Sequence, residues 1–407
     1  MRMNQTFYST IITFLLMSCS SDKQTTDGLP FIDVSGNYPE KEIVLTDIAD
    51  ITYLHLSTTD DDYLYKGQIS YITKNTVIVL DQVSKSILFF SKDGVPRSRF
   101  NRIGQGPGDY INPTVEGYDE QTDEVFVSDF YRNVILVYSS IGEYKRTITL
   151  PQESIISIII DFDDHSLFCY DNRIATLRDL ALLRGGSLSD VSANDYRLPF
   201  YRISKTDGEV LDYVELPGAD LIMGAYYMGR WLSAPCRFAV KCPEGVLLNN
   251  FQNDTVFLYN GDKPLTPVFY QTPSDVSLNP KQYVYQCLDR GQYQFFQVNI
   301  MREGVNPLSY PSKYYMRYKE TGEIVQYKFI SNDYKGKDFI MNRSHRKTDG
   351  TLTLDGDPYT DGYWFELDLY ELKQADRENR LSGKLKELVS TLNEDEDNSV
   401  FMLVEFK

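Results

Sequence analysis

Two stretches of this chain repeat at one fixed offset, and that constrains its architecture more than any other feature. In TVIVLDQVSKSILFFSKDG (76–94) and DEVFVSDFYRNVILVYSSIG (123–142), Val79 answers to Val127, Asp81 to Asp129, Ile87 to Ile135 and Gly94 to Gly142, each pair 48 residues apart. One offset holding at four places, across strands and turns, marks a repeated structural unit. Each unit is a short strand ending in Asp, a tight connection, a second strand and a Gly turn. The runs VIVL, ILFF, VILVY and SIISIII are apolar on consecutive residues, whereas a strand with one wet face alternates apolar and polar. Both faces of each sheet must therefore be covered. Antiparallel, hairpin-connected sheets repeated radially satisfy this and the offset together, which is the arrangement of a β-propeller. A two-sheet sandwich leaves the offset unexplained.

The rest of the chain agrees with an all-β reading. Tyr (31) and Phe (22) are abundant, and only ADRENRLSGKLKELVSTLNED near the end looks helical, which places one short helix at about 375–393. The closing NSVFMLVEFK (398–407) reads as a last strand that pairs with an early segment such as ITYLHL (51–56) and shuts the ring. With 41 basic and 58 acidic residues the net charge is −17, which excludes nucleic acid as a natural partner. Cys236 and Cys242 bracket a strand-like run that would hold them roughly 20 Å apart, too far for a disulfide. No zinc spacing is visible among the cysteines.

The N-terminus opens with one basic residue, Arg2, and an apolar stretch from Phe7 to Met17 that is too short to span a bilayer. Its end, LMSC, resembles the lipobox of bacterial lipoproteins. The resemblance implies a signal peptide over 1–18, a lipidated Cys19, a flexible tether over 19–40 and a body over 41–407. Because residues 1–18 carry only the charge of Arg2, removing them takes the net charge from −17 to −18.

The stretch FNRIGQGPGDYINPTVEGYDEQTDEVFVSDFYRNVILVYSSIGEY (100–144) resembles the NHL repeat, with its Gly-rich linker, aromatic, proline, strand ending in Asp and strand ending near Gly. NNFQNDTVFLYNGDKPLTPVFYQ and EDNSVFMLVEFK look like segments of the six-bladed propeller lipoproteins of gut anaerobes, a family of largely undefined role. The resemblance implies six four-stranded antiparallel blades in an outer-membrane lipoprotein facing the periplasm or the cell exterior, held to the membrane by its N-terminal lipid. Within it, IGQGPGDY is not a phosphate cradle. Such a loop leads into a helix, whereas Pro113 and the lack of a 3.6-residue period argue against one here. Its glycines are expected to supply positive φ angles for a crossover between blades.

Meander topology then directs attention to one mouth. The loop between second and third strands and the crossover to the next blade emerge on the same face, so IGQGPGDY and DFYRN share it. The long insertions DNRIATLRDLALLRGGSLSDVSANDYRLP and GADLIMGAYYMGRWLSAP also fall at such connections, in the third blade and in the crossover to the fourth. The candidate ligand-binding residues are Arg102, Asp129 and Arg132 from regular loops, with Tyr226, Tyr227 and Trp231 from the insertion. Asp81 and Asp129 also suit turn capping through side-chain to backbone bonds, and aromatics in an insertion also serve simply to pack it.

Catalytic constellations are thin. His55, His165 and His345 stand far apart in the sequence, with no linked nucleophile or metal set. Asp355, Asp357, Asp361 and Glu366 occupy four positions of a calcium-loop template, but Thr360 stands where that loop needs Gly, and the run reads as an acidic turn. The expectation is a non-enzymatic binding scaffold for a glycan, peptide or partner protein, without cofactor. The alternative is a lactonase- or lyase-like propeller enzyme with a metal in the central channel.

Overall fold

The computed structural model describes residues 28–58, 63–151, 154–172, 198–216, 238–249, 254–262, 264–274, 277–302, 310–341 and 362–407, with the backbone of strands inside 224–233 and 344–359. The N-terminal segment supplies β1 (Phe31–Asp33), β2 (Glu40–Val44), a one-turn helix α1 (Leu45–Ile48) and β3 (Ala49–His55). Blade 1 is β4 (Gly67–Ile72), β5 (Thr76–Asp81), β6 (Ile87–Ser91) and β7 (Pro96–Phe100). Blade 2 is β8 (Pro113–Asp119), β9 (Glu124–Asp129), β10 (Val134–Tyr138) and β11 (Tyr144–Thr149). Blade 3 is β12 (Ile156–Asp163), β13 (Ser166–Asp171), β14 (Phe200–Ser204) and β15 (Val210–Val214), followed by a hairpin, β16 (Gly224–Tyr227) and β17 (Arg230–Ser233). Blade 4 is β18 (Ala239–Cys242), β19 (Gly245–Leu248), β20 (Thr255–Tyr259) and β21 (Thr266–Thr272). Blade 5 is β22 (Gln282–Arg290), β23 (Tyr293–Ile300), β24 (Ser312–Tyr318) and β25 (Ile324–Ser331). After it β26 (Tyr334–Phe339) folds back on β25, and β27 (Ser344–Arg346) pairs with β28 (Leu352–Leu354). Blade 6 is β29 (Gly356–Tyr359), β30 (Gly362–Leu367) and β31 (Val400–Phe406), with β3 as its outermost strand. The chain is thus a ring of six four-stranded antiparallel blades.

The consecutive apolar runs have a direct physical cause. Every residue of β5 and β6 is buried, because alternate side chains of one strand serve two different cores. Val77 and Val79 pack against Trp364, Phe401 and Leu403 of blade 6. Their neighbours Ile78 and Leu80 pack against Val125 and Val127 of blade 2. Each such side chain contributes about 1.5–3 kcal/mol of burial, so a polar residue at either parity would unseat a blade interface. Outer strands show the opposite pattern; in β7 (PRSRF) only Phe100 is fully buried.

Closure follows the sequence expectation. β3 and β31 form an antiparallel ladder of seven residue pairs, from Ala49 opposite Phe406 to His55 opposite Val400. Asn398, which is 3% exposed, locks the approach to it. Its Nδ2 donates to Leu56 O at 2.9 Å and Tyr63 O at 3.0 Å, and its Oδ1 accepts from Tyr65 N at 3.2 Å.

Two features differ from the sequence reading. Part of the segment read as a flexible tether is folded: β1 pairs in parallel with β21 on blade 4, and β2 pairs in parallel with β25 on blade 5. Ile32 and Val34 are buried there, so the apolar FIDV is an edge strand, and the N-terminal chain runs as a belt around blades 4, 5 and 6. Cys19 and the signal segment lie outside the described residues. The C-terminal helix expected at about 375–393 is two helices, α2 (Leu369–Arg377) and α3 (Gly383–Thr391). Asn379 breaks the first with a φ of 56°, and the connecting chain pairs instead with the start of β26, where Lys335 N donates to Arg380 O and Ser382 N donates to Asp333 O.

The closure makes a testable demand. Asn398→Ala removes three hydrogen bonds and leaves two carbonyls and an amide buried, which is expected to cost about 2–3 kcal/mol. Chemical denaturation measures it, and a loss below about 0.5 kcal/mol, the range of an ordinary surface change, contradicts the role assigned to Asn398.

Candidate functional site

The two faces of the ring are unequal. On one, which carries the turns between first and second and between third and fourth strands, every connection is two to six residues long. The other carries the second-to-third loops and the crossovers, and all the elaborations fall there: residues 172–199, the β16–β17 hairpin, the β26–β28 segment and the α2–α3 pair. The long-connection face is therefore the one the loop arithmetic selects.

On that face the repeated aspartates hold the loops. Asp129 is 1% exposed; its Oδ2 accepts from Ile111 N at 2.7 Å and its Oδ1 from Tyr131 N at 3.0 Å. Asp81 accepts from Lys66 N, Val83 N and Ser84 N, and Asp171 from Ile155 N. Each carboxylate ties the crossover entering its blade to that blade's own second strand, and in Asp81 and Asp129 also to the turn that follows, which explains why the aspartate recurs. Burial alone would push the Asp81 carboxyl up, but the hydrogen bonds from Ser84, Lys66 and Val83 outweigh it and leave the pKa lowered.

The two candidate arginines are also engaged by backbone carbonyls. Arg132 Nη1 donates to Gly106 O at 3.1 Å and to Asp109 O, and Arg102 donates through Nε and Nη2 to Gly142 O at 2.9 and 2.7 Å. IGQGPGDY is indeed a crossover, leading from β7 into β8 with no helix after it. Its glycines, however, are not at positive φ. They are required for space: a Cβ on Gly104 would lie 2.3 Å from the Asp109 carboxylate, and one on Gly108 2.8 Å from the Tyr144 ring. Tyr226 and Trp231 face each other as backbone partners in the β16–β17 hairpin, as Tyr227 does with Arg230; their side chains lie outside the described residues.

Sequence reading missed what the aspartates leave outside. Phe130 (58% exposed), Tyr131 (70%) and Val83 (73%) stand on the second-to-third turns of blades 1 and 2, and Leu64, Ile103, Ile111 and Ile155 are exposed on the adjoining crossovers. Hydrogen bonds stitch these loops into one surface: Asn101 to Ser84, Tyr110 to Lys85, Arg132 to Asp109, Asn133 to Pro151. Lys66 is exposed and Lys85 half-buried on the same surface, while Asp81 and Asp129 are buried. The signal was present in DFYRN, where two aromatics follow an inward-turned Asp.

The opposite end of the channel holds a cavity of about 1100 Å³, walled by β4, β8, β12 and β18 and the short turns after them. Its inner strands carry matching bulges: the register shifts between Ile69 and Tyr71 in β4 and between Val115 and Gly117 in β8, leaving Ser70 and Glu116 as the extra residues. A bulge re-aims side chains, and both residues line the cavity. Burial pushes the Glu116 carboxyl up to about 7, against the hydrogen bond from Ser128 Oγ that favours the anion. Among the described residues no three His, Cys, Asp or Glu side chains come together in a way that could hold a metal ion. Asp355 and Asp361 of the acidic run lie outside the described residues, and the run forms the β29–β30 hairpin without flanking helices.

The family is now evident. A domain of unknown function, DUF4934, matches residues 29–405, and the chain belongs to that family. No curated protein matches it. Among solved structures it is similar to an exported protein of Bacteroides fragilis at 17% identity, with a TM-score of 0.60 and coverage of 91% of this chain and 98% of that one. A DUF4221 member from Bacteroides vulgatus is 11% identical, with a TM-score of 0.46 over 88% and 97% of the two chains. The first likeness shows a shared fold; the second carries no further argument. Among the described residues no helix is long and apolar enough to cross a membrane.

Glu116 gives this end of the channel a pH signature. The fold favours the protonated carboxyl, so its contribution is complete below about pH 4.5 and is lost as pH rises towards 7. Glu116→Gln is expected to abolish that decline and to exceed the native protein by about 2–3 kcal/mol at pH 8. Parallel stability–pH curves for the two proteins, measured by denaturation, would contradict the burial argument.

Proposed function

We propose that the protein is a lipid-anchored, extracytoplasmic, non-enzymatic scaffold that docks a partner protein on its long-connection face. The observation that carries this reading is the coincidence of exposed Phe130, Tyr131 and Val83 with exposed Lys66 and half-buried Lys85 on one hydrogen-bonded surface. Asp81 and Asp129 of the same loops are spent on backbone amides, so among the described residues the exposed charge of this quadrant is positive on a chain of net charge −17. Charge complementarity selects an acidic segment bearing apolar side chains, with the aromatics as anchors and the cations as a rim. The lipobox at Leu16–Cys19 supports attachment to the outer membrane, and the NHL-like grammar of blade 2 suits a propeller lipoprotein. Arg102, Asp129 and Arg132 act by holding the loops, and Tyr226, Tyr227 and Trp231 extend the surface.

The test is site-specific photo-crosslinking in intact cells, with a photoreactive residue at Tyr131 and, as the control, at Asp93 on the short-turn face. A discrete adduct from position 131 that is lost in Lys85→Glu, with the protein moving to the soluble fraction in Cys19→Ala, is the expected result. An equal adduct from position 93, or none from 131, overturns the docking face. Retention of Cys19→Ala in washed membranes overturns the anchor.

A further inference from the structure

We propose that the cavity at the short-turn end of the channel binds sugars that carry a carboxylate, with Lys241 gripping the carboxylate and Asp161 and Tyr71 receiving ring hydroxyls. The site is separate from the docking face and needs no partner protein. Cations from three successive blades converge on its wall. Lys205 of blade 3 is 7% exposed, with Nζ 2.7 Å from Asp161 Oδ1 and 5.3 Å from the centre of the Phe126 ring. Lys241 of blade 4 donates to Phe162 O at 2.6 Å and stands 5.3 Å from the centre of the Phe162 ring. Arg290 of blade 5 donates to Asp289 O at 2.7 Å and to Lys241 O at 3.4 Å.

Among the described residues Asp161 is the one carboxylate in ion-pair contact with either lysine. Of the other acids that line the cavity, Glu120 is engaged by Thr73 and Asn75, Asp163 by His165 N, Ser166 and Arg202, Asp119 by Gln121 N and Glu116 by Ser128, while Asp164 stands exposed on the turn after β12. Lys205 thus takes the close carboxylate while the Lys241 ammonium rests on Phe162 O and the Phe162 ring, and burial holds the Lys241 pKa below its ordinary value. An anionic group of a ligand supplies the missing charge in a low-dielectric wall. The remaining polar lining, the hydroxyls of Tyr71 and Ser70 with Asp161, suits a ligand rich in hydroxyls. A cavity of about 1100 Å³ exceeds the needs of a simple carboxylate and admits an oligosaccharide.

Isothermal titration of the full chain with a galacturonate trisaccharide, its neutral galactose counterpart and a sulfated galactose trisaccharide tests this. The uronate is expected to bind, more weakly at high salt, and the neutral sugar to bind at least about tenfold less tightly. Lys241→Ala should weaken the uronate by about tenfold or more and Lys241→Arg should restore most of it. Ser70→Phe, which narrows the channel without touching Lys241, should abolish binding, and Phe130→Ala on the docking face should leave it intact. Equal binding of the neutral sugar, binding of the sulfated sugar alone, no binding of the uronate at millimolar concentration, or unchanged affinity in folded Lys241→Ala and Ser70→Phe each overturns the proposal.

Discussion

The ladder between β3 and β31 is the constraint on which everything else depends. Six sheets arranged radially leave the first and last blades with unpaired faces until the ring shuts, and a propeller removes that liability by pairing the two ends of the chain. Here seven residue pairs do so, and they place Phe401 and Leu403 against Val77 and Val79 of blade 1. The interface between blades 6 and 1 is therefore built on the C-terminal strand, which β30 and the N-terminal β3 flank on its two edges. The N-terminal belt extends the same logic outward, since β1 and β2 cover the outer edges of blades 4 and 5. The outer strands β7 and β11 pair with no further strand among the described residues and carry Arg97, Arg99, Lys145 and Arg146, charges that discourage edge-to-edge association.

A closed ring has two faces, and the meander divides the labour between them. Turns of two to six residues on one face leave the channel accessible, and its lining is set by inner-strand side chains. Crossovers and long loops on the other face are free to vary, because their inward ends are pinned by Asp81, Asp129 and Asp171. The buried carboxylates thus do two things at once. They satisfy crossover amides that would otherwise be orphaned, and they withdraw negative charge from a surface on which Val83, Phe130, Tyr131 and Lys66 are exposed.

Much of this was legible in the sequence because it repeats. The 48-residue offset, the doubly apolar strands and the Asp at the second strand's end are local signals, and they gave the blade, the closing strand and the sidedness of the loops. The channel was not legible. Glu116, Asp161, Lys205 and Lys241 come from three blades, and each looks like an ordinary surface charge until the inner strands are brought together. Glu116 is further disguised by a bulge, which breaks the alternation that would have assigned it a face. The glycines of IGQGPGDY were read for their torsional freedom, whereas the contacts with Asp109 and Tyr144 make their small size the reason. β1 and β2 were missed because they pair with strands more than 200 residues away in the sequence, and no local pattern reports such a partner.

Native-state hydrogen exchange tests the closure most directly. If β3 and β31 hold the ring, the amides of Thr52, Leu54, Phe401 and Leu403, which face across the ladder, exchange only through global unfolding, with opening free energies equal to the stability measured by denaturant and the same denaturant dependence. Exchange of these amides through a cheaper, local opening, with blades 1 to 3 still protected, would show that the ring stands without its ladder and would contradict the account.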